Sequence, residues 1–504
     1  MTTPTGAAQP RTTRARSQPR RLRCAAAGAL AVLAVVMTGC ATPIQGQARS
    51  SMYDPNTIAG VPVVDGPSGV RKDAPPPDGK VAYTNNSDAD HLAVLAVNDV
   101  VDYWQQHYTD PPLEGSFTPV ANLASYDSTD PGGPILCGES GFNNPNAFYC
   151  PRADLIAWDR GDLVPAGMKY FGDASIAALF AHEYGHAVQR MGGLVDRSTP
   201  TLVLEQQADC FAGSYIRWVT EGSSKRFELN TSDGLNRVIA GVITIRDPIL
   251  TPEYEDMVEE GHGTALDRVS AFQTGFIDGI DACARIDMDQ IEHARGDLPM
   301  MLDPKASGGA ATGESPIDQG LITSITEALT QIFTPAAPPT VSLTAPARPC
   351  PDATATPPVS YCPSTHTITV DLPALQAMGT PADEKERVLL QGDNTAISVL
   401  TARYMLALQH HRGVPIDTTA AALRTACLTG VAQRKMTEPI TLRTGGTIQL
   451  SAGDLDEAIA GLLNNGFAAS DVNGTTVAAG FTRIMAFRSG LITPNADACY
   501  TRFL

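Results

Sequence analysis

Apolar residues recur along this chain in three informative ways. Residues 25–39, AAAGALAVLAVVMTG, form an apolar run of 15, short of the roughly 20 residues that a membrane-spanning helix needs. Ile176, Leu179, Phe180, Tyr184, Ala187 and Val188 share one helical face. That spacing predicts a core-facing helix starting near Ala174, with Asp173 as its cap. Leu202, Val203, Leu204 and Ala208 predict a second helix, entered through a turn at Gly192-Gly193.

The pattern also repeats at a period of roughly 220 residues. GDASIAALFAHEYGHAVQRMGG, from Gly172, parallels GDNTAISVLTARYMLALQHHRG, from Gly392. Cys137 with Tyr149-Cys150-Pro151 parallels Cys350 with Tyr361-Cys362-Pro363, and Cys210 parallels Cys427. Ile239-Ala240-Gly241 matches Ile459-Ala460-Gly461. Arg268, Ala271, Phe272 and Gly275 match Arg483, Ala486, Phe487 and Gly490, and Cys283 and Cys499 close the two series. Two copies of one domain are expected. The cysteines then fall into two sets of four, and the simplest pairing is Cys137–Cys150, Cys210–Cys283, Cys350–Cys362 and Cys427–Cys499, as suits an exported protein.

Composition narrows the compartment and the partners. Lys and Arg number 36 against 54 Asp and Glu, a net charge of −18. The first 39 residues hold six Arg and no acid, so the remainder carries −24. Such a body repels phosphate backbones, and no nucleic-acid partner is expected. Arg-rich residues followed by the short apolar run read as a secretory signal. Its end, Met37-Thr38-Gly39-Cys40, resembles a bacterial lipobox, in which the Cys40 thiol is lipidated. The expected organisation is a signal peptide over 1–39 and a tether over 40–84. A first copy of the domain over 85–302, a linker over 303–318 and a second copy over 319–504 follow. The expected location is the extracytoplasmic face of the bacterial cell membrane, anchored through lipid on Cys40.

The chemistry concentrates in the first copy. His182 and His186, four residues apart on a helix, can both offer an imidazole nitrogen to one metal ion. Glu183 is turned about 100° away and can act as a general base toward a water there. A metzincin would place a third His at position 192, which is Gly, so that class is excluded. Glu205 is the candidate third ligand, giving His₂Glu coordination with one position open. Asp209, one turn later, would hold the distal nitrogen of a ligand His. His262, in Gly261-His262-Gly263-Thr264, is a candidate for stabilising the substrate oxyanion. The acidic run Glu253–Glu260 reads as a solvated face or as a selector of basic peptide segments or calcium.

Cys137-Gly138 with Phe148-Tyr149-Cys150-Pro151, His182–His186, Leu204–Gly213, His262-Gly263-Thr264 and Gly275-Phe276 together resemble the neutral zinc metallopeptidase family (YpfJ-like), and within it mycobacterial lipoprotein members. The resemblance spans roughly residues 85–290. It implies a zincin-like fold, α+β and mainly helical, with a glutamate third ligand (gluzincin-like) and one Zn²⁺ per chain. In the second copy His182 falls on Ala402, Glu183 on Arg403, His186 on Leu406, Glu205 on Ala422, Asp209 on Ala426 and His262 on Asn473. That copy is expected to be degenerate and without metal. The expected function is hydrolysis of a peptide or protein substrate. A binding lipoprotein with a vestigial metal site, and a zinc amidase acting on cell-wall peptide, are the alternatives.

Overall fold

The computed structural model describes residues 54–109, 111–249, 261–295, 313–382 and 389–504. The signal, Cys40 and the acidic run 253–260 lie outside the described residues. No helix among the described residues is long and apolar enough to cross a membrane.

The first half pairs a small sheet with a stack of helices. Strands β1 (Val81–Ala82), β2 (Asn122–Tyr126), β3 (Ala147–Cys150) and β4 (Leu155–Asp159) lie in the order β1-β2-β4-β3. The β1–β2 and β2–β4 pairs are parallel and β3 is antiparallel to β4, which makes β3 an edge. Helices α1 (Asp88–His107), α2 (Leu163–Phe171), α3 (Asp173–Met191), α4 (Thr201–Thr220), α5 (Asp233–Thr244) and α6 (Ala265–Asp278) follow. The short helices α7 (Ile280–Cys283) and α8 (Met288–Arg295) end this half. Helix α3 packs on α1, α4, α5 and β3, so it lies at the centre of this half. It begins one residue before the predicted start. Gly172 is the cap, at φ 83°, where a side chain would be strained, and Asp173 sits in the first turn.

The second half has the same order of elements. Helix α9 (Gln319–Phe333) precedes β5 (Thr340–Ser342), β6 (Val359–Cys362) and β7 (Thr367–Val370). These strands lie in the order β5-β7-β6, with β5 parallel and β6 antiparallel to β7. Helices α10 (Leu372–Met378), α11 (Asp393–His411), α12 (Thr419–Met436), α13 (Asp454–Asn464), α14 (Gly480–Ile492) and α15 (Ala496–Arg502) complete it. The four disulfides are Cys137–Cys150, Cys210–Cys283, Cys350–Cys362 and Cys427–Cys499. In each half one bridge ends in an antiparallel strand and another ties a long helix to a short terminal one. Backbone crossings recur too. A Cβ on Gly213 would meet Phe272 O and one on Gly275 would meet Cys210 O; Gly430 and Gly490 meet Phe487 O and Cys427 O in the same way. Only glycine lets these helix pairs come so close.

The halves share one hydrophobic core, which runs continuously from Ile58 to Phe503. Helices α13 and α14 pack on α5 and α6, with Phe276 and Phe481 rings 4.9 Å apart. Gln273 Nε2 donates to Phe481 O at 2.9 Å, and Gly480 N donates to Asn236 Oδ1 at 2.8 Å. The described part of the expected linker 303–318 packs against the second half. Ser315 N donates to Asp393, and Ile317 is buried. Residues 54–84 likewise differ from the expected loose tether. Gly69–Val70 pairs with Phe227–Glu228, Arg71 Nε donates to Ser224 O and Phe227 O, and Asn230 Nδ2 donates to Gly66 O. Polar loop composition hid this packing, because the segment is held by short backbone pairings and scattered apolar anchors such as Ile58 and Val61 rather than by a periodic apolar face.

Candidate metal centre

Two helices build the site. His182 and His186 lie one turn apart on α3, with rings 4.9 Å apart between centroids, and Glu205 and Asp209 lie one turn apart on α4. Gly185 lets the helices meet: a Cβ there would stand 3.0 Å from Ala208 Cα. His182 Nε2 then comes 3.2 Å from Glu205 Oε2, and His186 Nε2 comes 3.5 Å from Glu205 Oε1. One donor atom from each of the three residues lies within 4.8 Å of the others.

Spacing and chemistry both fit a small divalent cation. Ligand atoms about 2.1 Å from a tetrahedral ion are about 3.4 Å from one another, which is what the two contacts above approach. Glu205 Oε2 is buried without a hydrogen-bond partner, a costly state for a carboxylate oxygen unless a cation lies beside it. The far nitrogens are already engaged: His182 Nδ1 with Asp209 Oδ1 at 2.8 Å and His186 Nδ1 with Gln189 Oε1 at 3.1 Å. A proton on each Nδ1 leaves each Nε2 lone pair directed at Glu205, the tautomer a metal requires. His182, His186 and Glu205 are therefore the residues that could hold Zn²⁺.

The surroundings adjust the charges. Burial opposes ionisation of His182, but with no cation beside them the Asp209 and Glu205 carboxylates outweigh it and raise its pKa to about 10, so a metal entering the site would displace the Nε2 proton. Burial pushes His186 down. Glu205 is also opposed by burial, yet the His186 and His182 imidazoles hold it well below the usual carboxylate range. Glu183 is 7% exposed, and burial raises its pKa to about 7, offset in part by His182. Its Oε2 accepts from Tyr149 N on edge strand β3 at 3.0 Å. That bond fixes one carboxylate oxygen.

His262 stands at the open side. Its side chain is 54% exposed, with Nε2 3.8 Å from Glu205 Oε2. Asp247 fixes it: Asp247 Oδ1 accepts from His262 N at 3.0 Å, and Oδ2 accepts from Gly263 N at 2.7 Å. The hydrogen bond to Asp247 raises the His262 pKa. All six residues singled out in the first half thus converge. Their counterparts Ala402, Arg403, Leu406, Ala422 and Ala426 are all fully buried, while Asn473 accepts from Thr354 N on an exposed turn.

Sequence reasoning missed several supports. Arg268 Nη2 donates to Asp209 Oδ1 at 2.8 Å, the same oxygen that meets His182 Nδ1. Gln189 was visible only as a match between the copies, as Arg268 was, and neither position suggested a partner. Tyr149 was visible only beside a repeated cysteine, with nothing to suggest that its amide meets Glu183, and Asp247, 15 residues before His262, carries no sequence signal.

The chain matches the model of the family described as putative neutral zinc metallopeptidase over residues 24–285. Comparisons with curated proteins and with solved structures give no match. That match covers just over half of the chain and includes every residue of the centre described above, so the chain belongs to the neutral zinc metallopeptidase family.

Proposed function

We propose that this chain is a lipid-anchored, extracytoplasmic zinc peptidase, of the lipoprotein type within its family, with one active centre per chain. One observation carries the reading: two imidazole Nε2 atoms and a Glu205 oxygen converge at ion-ligand spacing, with both distal nitrogens already engaged. Zn²⁺ held by His182, His186 and Glu205 would supply Lewis-acid polarisation of a scissile carbonyl and would lower the pKa of the attacking water.

The chain's own groups do the rest. Glu183 takes the proton from the attacking water and passes it to the leaving amine, a task suited to a carboxyl poised near 7. The Tyr149 amide holds one Glu183 oxygen, leaving the other for proton transfer. Asp209, gripped by Arg268, keeps the His182 ring oriented. His262, braced by Asp247, donates to the developing oxyanion. The second half is a degenerate, non-catalytic copy that braces the first. Its α13 supplies Asp456, whose Oδ1 accepts from Leu266 N at the start of α6, the helix that carries Arg268.

Hydrolysis of a peptide library by the zinc-loaded protein, compared with Glu183→Gln, tests this reading. Loss of cleavage with zinc retained is expected. Full activity in that variant would remove Glu183 from the mechanism.

A further inference from the structure

A second group of acids gathers at the start of α11, far along the chain from the zinc ligands. Glu314, Asp393 and Glu457 each place a carboxylate oxygen within 4.8 Å of the others. Asp454, three residues before Glu457 on α13, lies close enough to repel it. Asp393, Asp454 and Glu457 are all buried. The charges that act most strongly on them are one another's carboxylates and that of Glu314, with no Lys or Arg among them.

Hydrogen bonding accounts for only part of this. Asp393 N donates to Glu314 Oε2 at 3.0 Å and Asn394 N donates to Glu457 Oε2 at 2.8 Å, as a helix N-terminus favours. Ser315 N donates to Asp393 Oδ2 at 2.6 Å. Asp393 Oδ1 is left over: the residue is 2% exposed, and this oxygen is buried without a hydrogen-bond partner. A carboxylate oxygen stranded among other acids is costly unless a cation meets it. The scaffold does not require these acids either. In the register that matches Ile239 with Ile459, Glu457 falls on Arg237 and Asp454 on Gly234. Arg237 pairs with Asp233 at 2.8 Å on an exposed face.

We propose that Glu314, Asp393 and Glu457, with Asp454 beside them, form a second cation site, which takes Ca²⁺. The donors are all carboxylate oxygens, the chemistry of a hard cation, with no imidazole or thiolate to favour zinc. Calcium accepts 6–8 oxygens in flexible geometry, whereas Mg²⁺ demands a near-ideal octahedron and keeps its waters. Such an ion ties the segment entering the second half to α11 and α13. It also bears on the seam with the first half, because Asp456, between Asp454 and Glu457, accepts from Leu266 N at 3.2 Å. Protons and the cation compete for the same oxygens, so any pH dependence of stability from these acids belongs to calcium-free protein. The inference stands apart from the peptidase reading.

The test is calorimetric titration of zinc-loaded, calcium-free full-length protein with CaCl₂, together with melting curves. One calcium per chain is expected, with a Kd of about 1 mM or tighter, and a melting temperature raised by ~2 °C or more in excess calcium. Asp393→Asn and Glu457→Gln keep the shape and remove charge. Both are expected to fold, to melt no lower than wild type without calcium, and to lose the calcium response. Absence of calcium binding in wild type overturns the proposal and leaves the acids holding protons. An undiminished response in both variants also overturns it and places calcium elsewhere, with the acidic run 253–260 as the next candidate. A magnesium response equal to that of calcium overturns the assignment of the ion.

Discussion

The seam between α3 and α4 and the seam between α11 and α12 hold the same place in the order of elements and are filled differently. In the first, His182, His186, Glu205 and Asp209 face one another, and Gly185 brings the helices together. In the second, Ala402, Leu406, Ala422 and Ala426 fill the seam, and Met405, fully buried, stands where Gly185 would be. Arg403, also fully buried, is held by neutral groups: Nε donates to Val359 O at 3.0 Å and Nη1 to Ser470 Oγ at 2.8 Å, while Nη2 is buried without a hydrogen-bond partner. Burial alone therefore does not make a site. The first seam buries charge that calls for a cation; the second buries an arginine among hydrogen-bond acceptors.

Substitutions can break this contrast. Glu183→Gln should lower kcat by about 10²–10⁴-fold without moving the melting temperature appreciably, read by peptide hydrolysis and calorimetry. Arg403→Ala, at the matching position, should do the reverse. It opens a cavity and removes the bonds to Val359 O and Ser470 Oγ, costing about 2–5 kcal/mol of stability, with zinc content unchanged. Equal loss of activity in both variants would mean that the seams are not functionally distinct. Asp209→Ala should weaken zinc binding about 10–100-fold, whereas Ala426→Asp in the second half should confer none, both read by competition with a chelating dye.

A smaller effect concerns acids in the second half. Burial, then repulsion by Asp454, Glu314 and Asp393, raises the Glu457 pKa far above the usual range, and burial raises Asp456 to about 6. A carboxyl whose pKa is raised by folding keeps its proton longer in the folded state. Its contribution to stability is complete below about pH 4 and is lost as pH rises through the folded value. Unfolding free energy should therefore fall between pH 4 and 8. Glu457→Gln should flatten that fall by up to about 1.4 kcal/mol per pH unit, measured by denaturant titration at each pH. An unchanged slope would remove Glu457 as the source.

What could be read from sequence was what chemistry makes periodic. The i,i+4 histidines, the i,i+4 Glu205 and Asp209 and the doubled cysteine series follow from helix geometry and repetition, and α3, α4 and the four disulfides lie where that reading put them. Contacts between elements were not legible. Arg268 reaches Asp209 from α6 and Asp247 reaches His262 across 15 residues, and nothing local marks either. The particular contacts of 54–84 and of the seam between the halves were not legible for the same reason: pairing through backbone atoms and bonds between helices of different halves leave no mark on local periodicity.

The most direct measurement is zinc per chain on purified protein, by elemental analysis, for wild type, Glu205→Ala and Ala422→Glu. The account predicts one zinc in wild type, well under one in Glu205→Ala, and still one in Ala422→Glu. Full zinc retention in Glu205→Ala would contradict it.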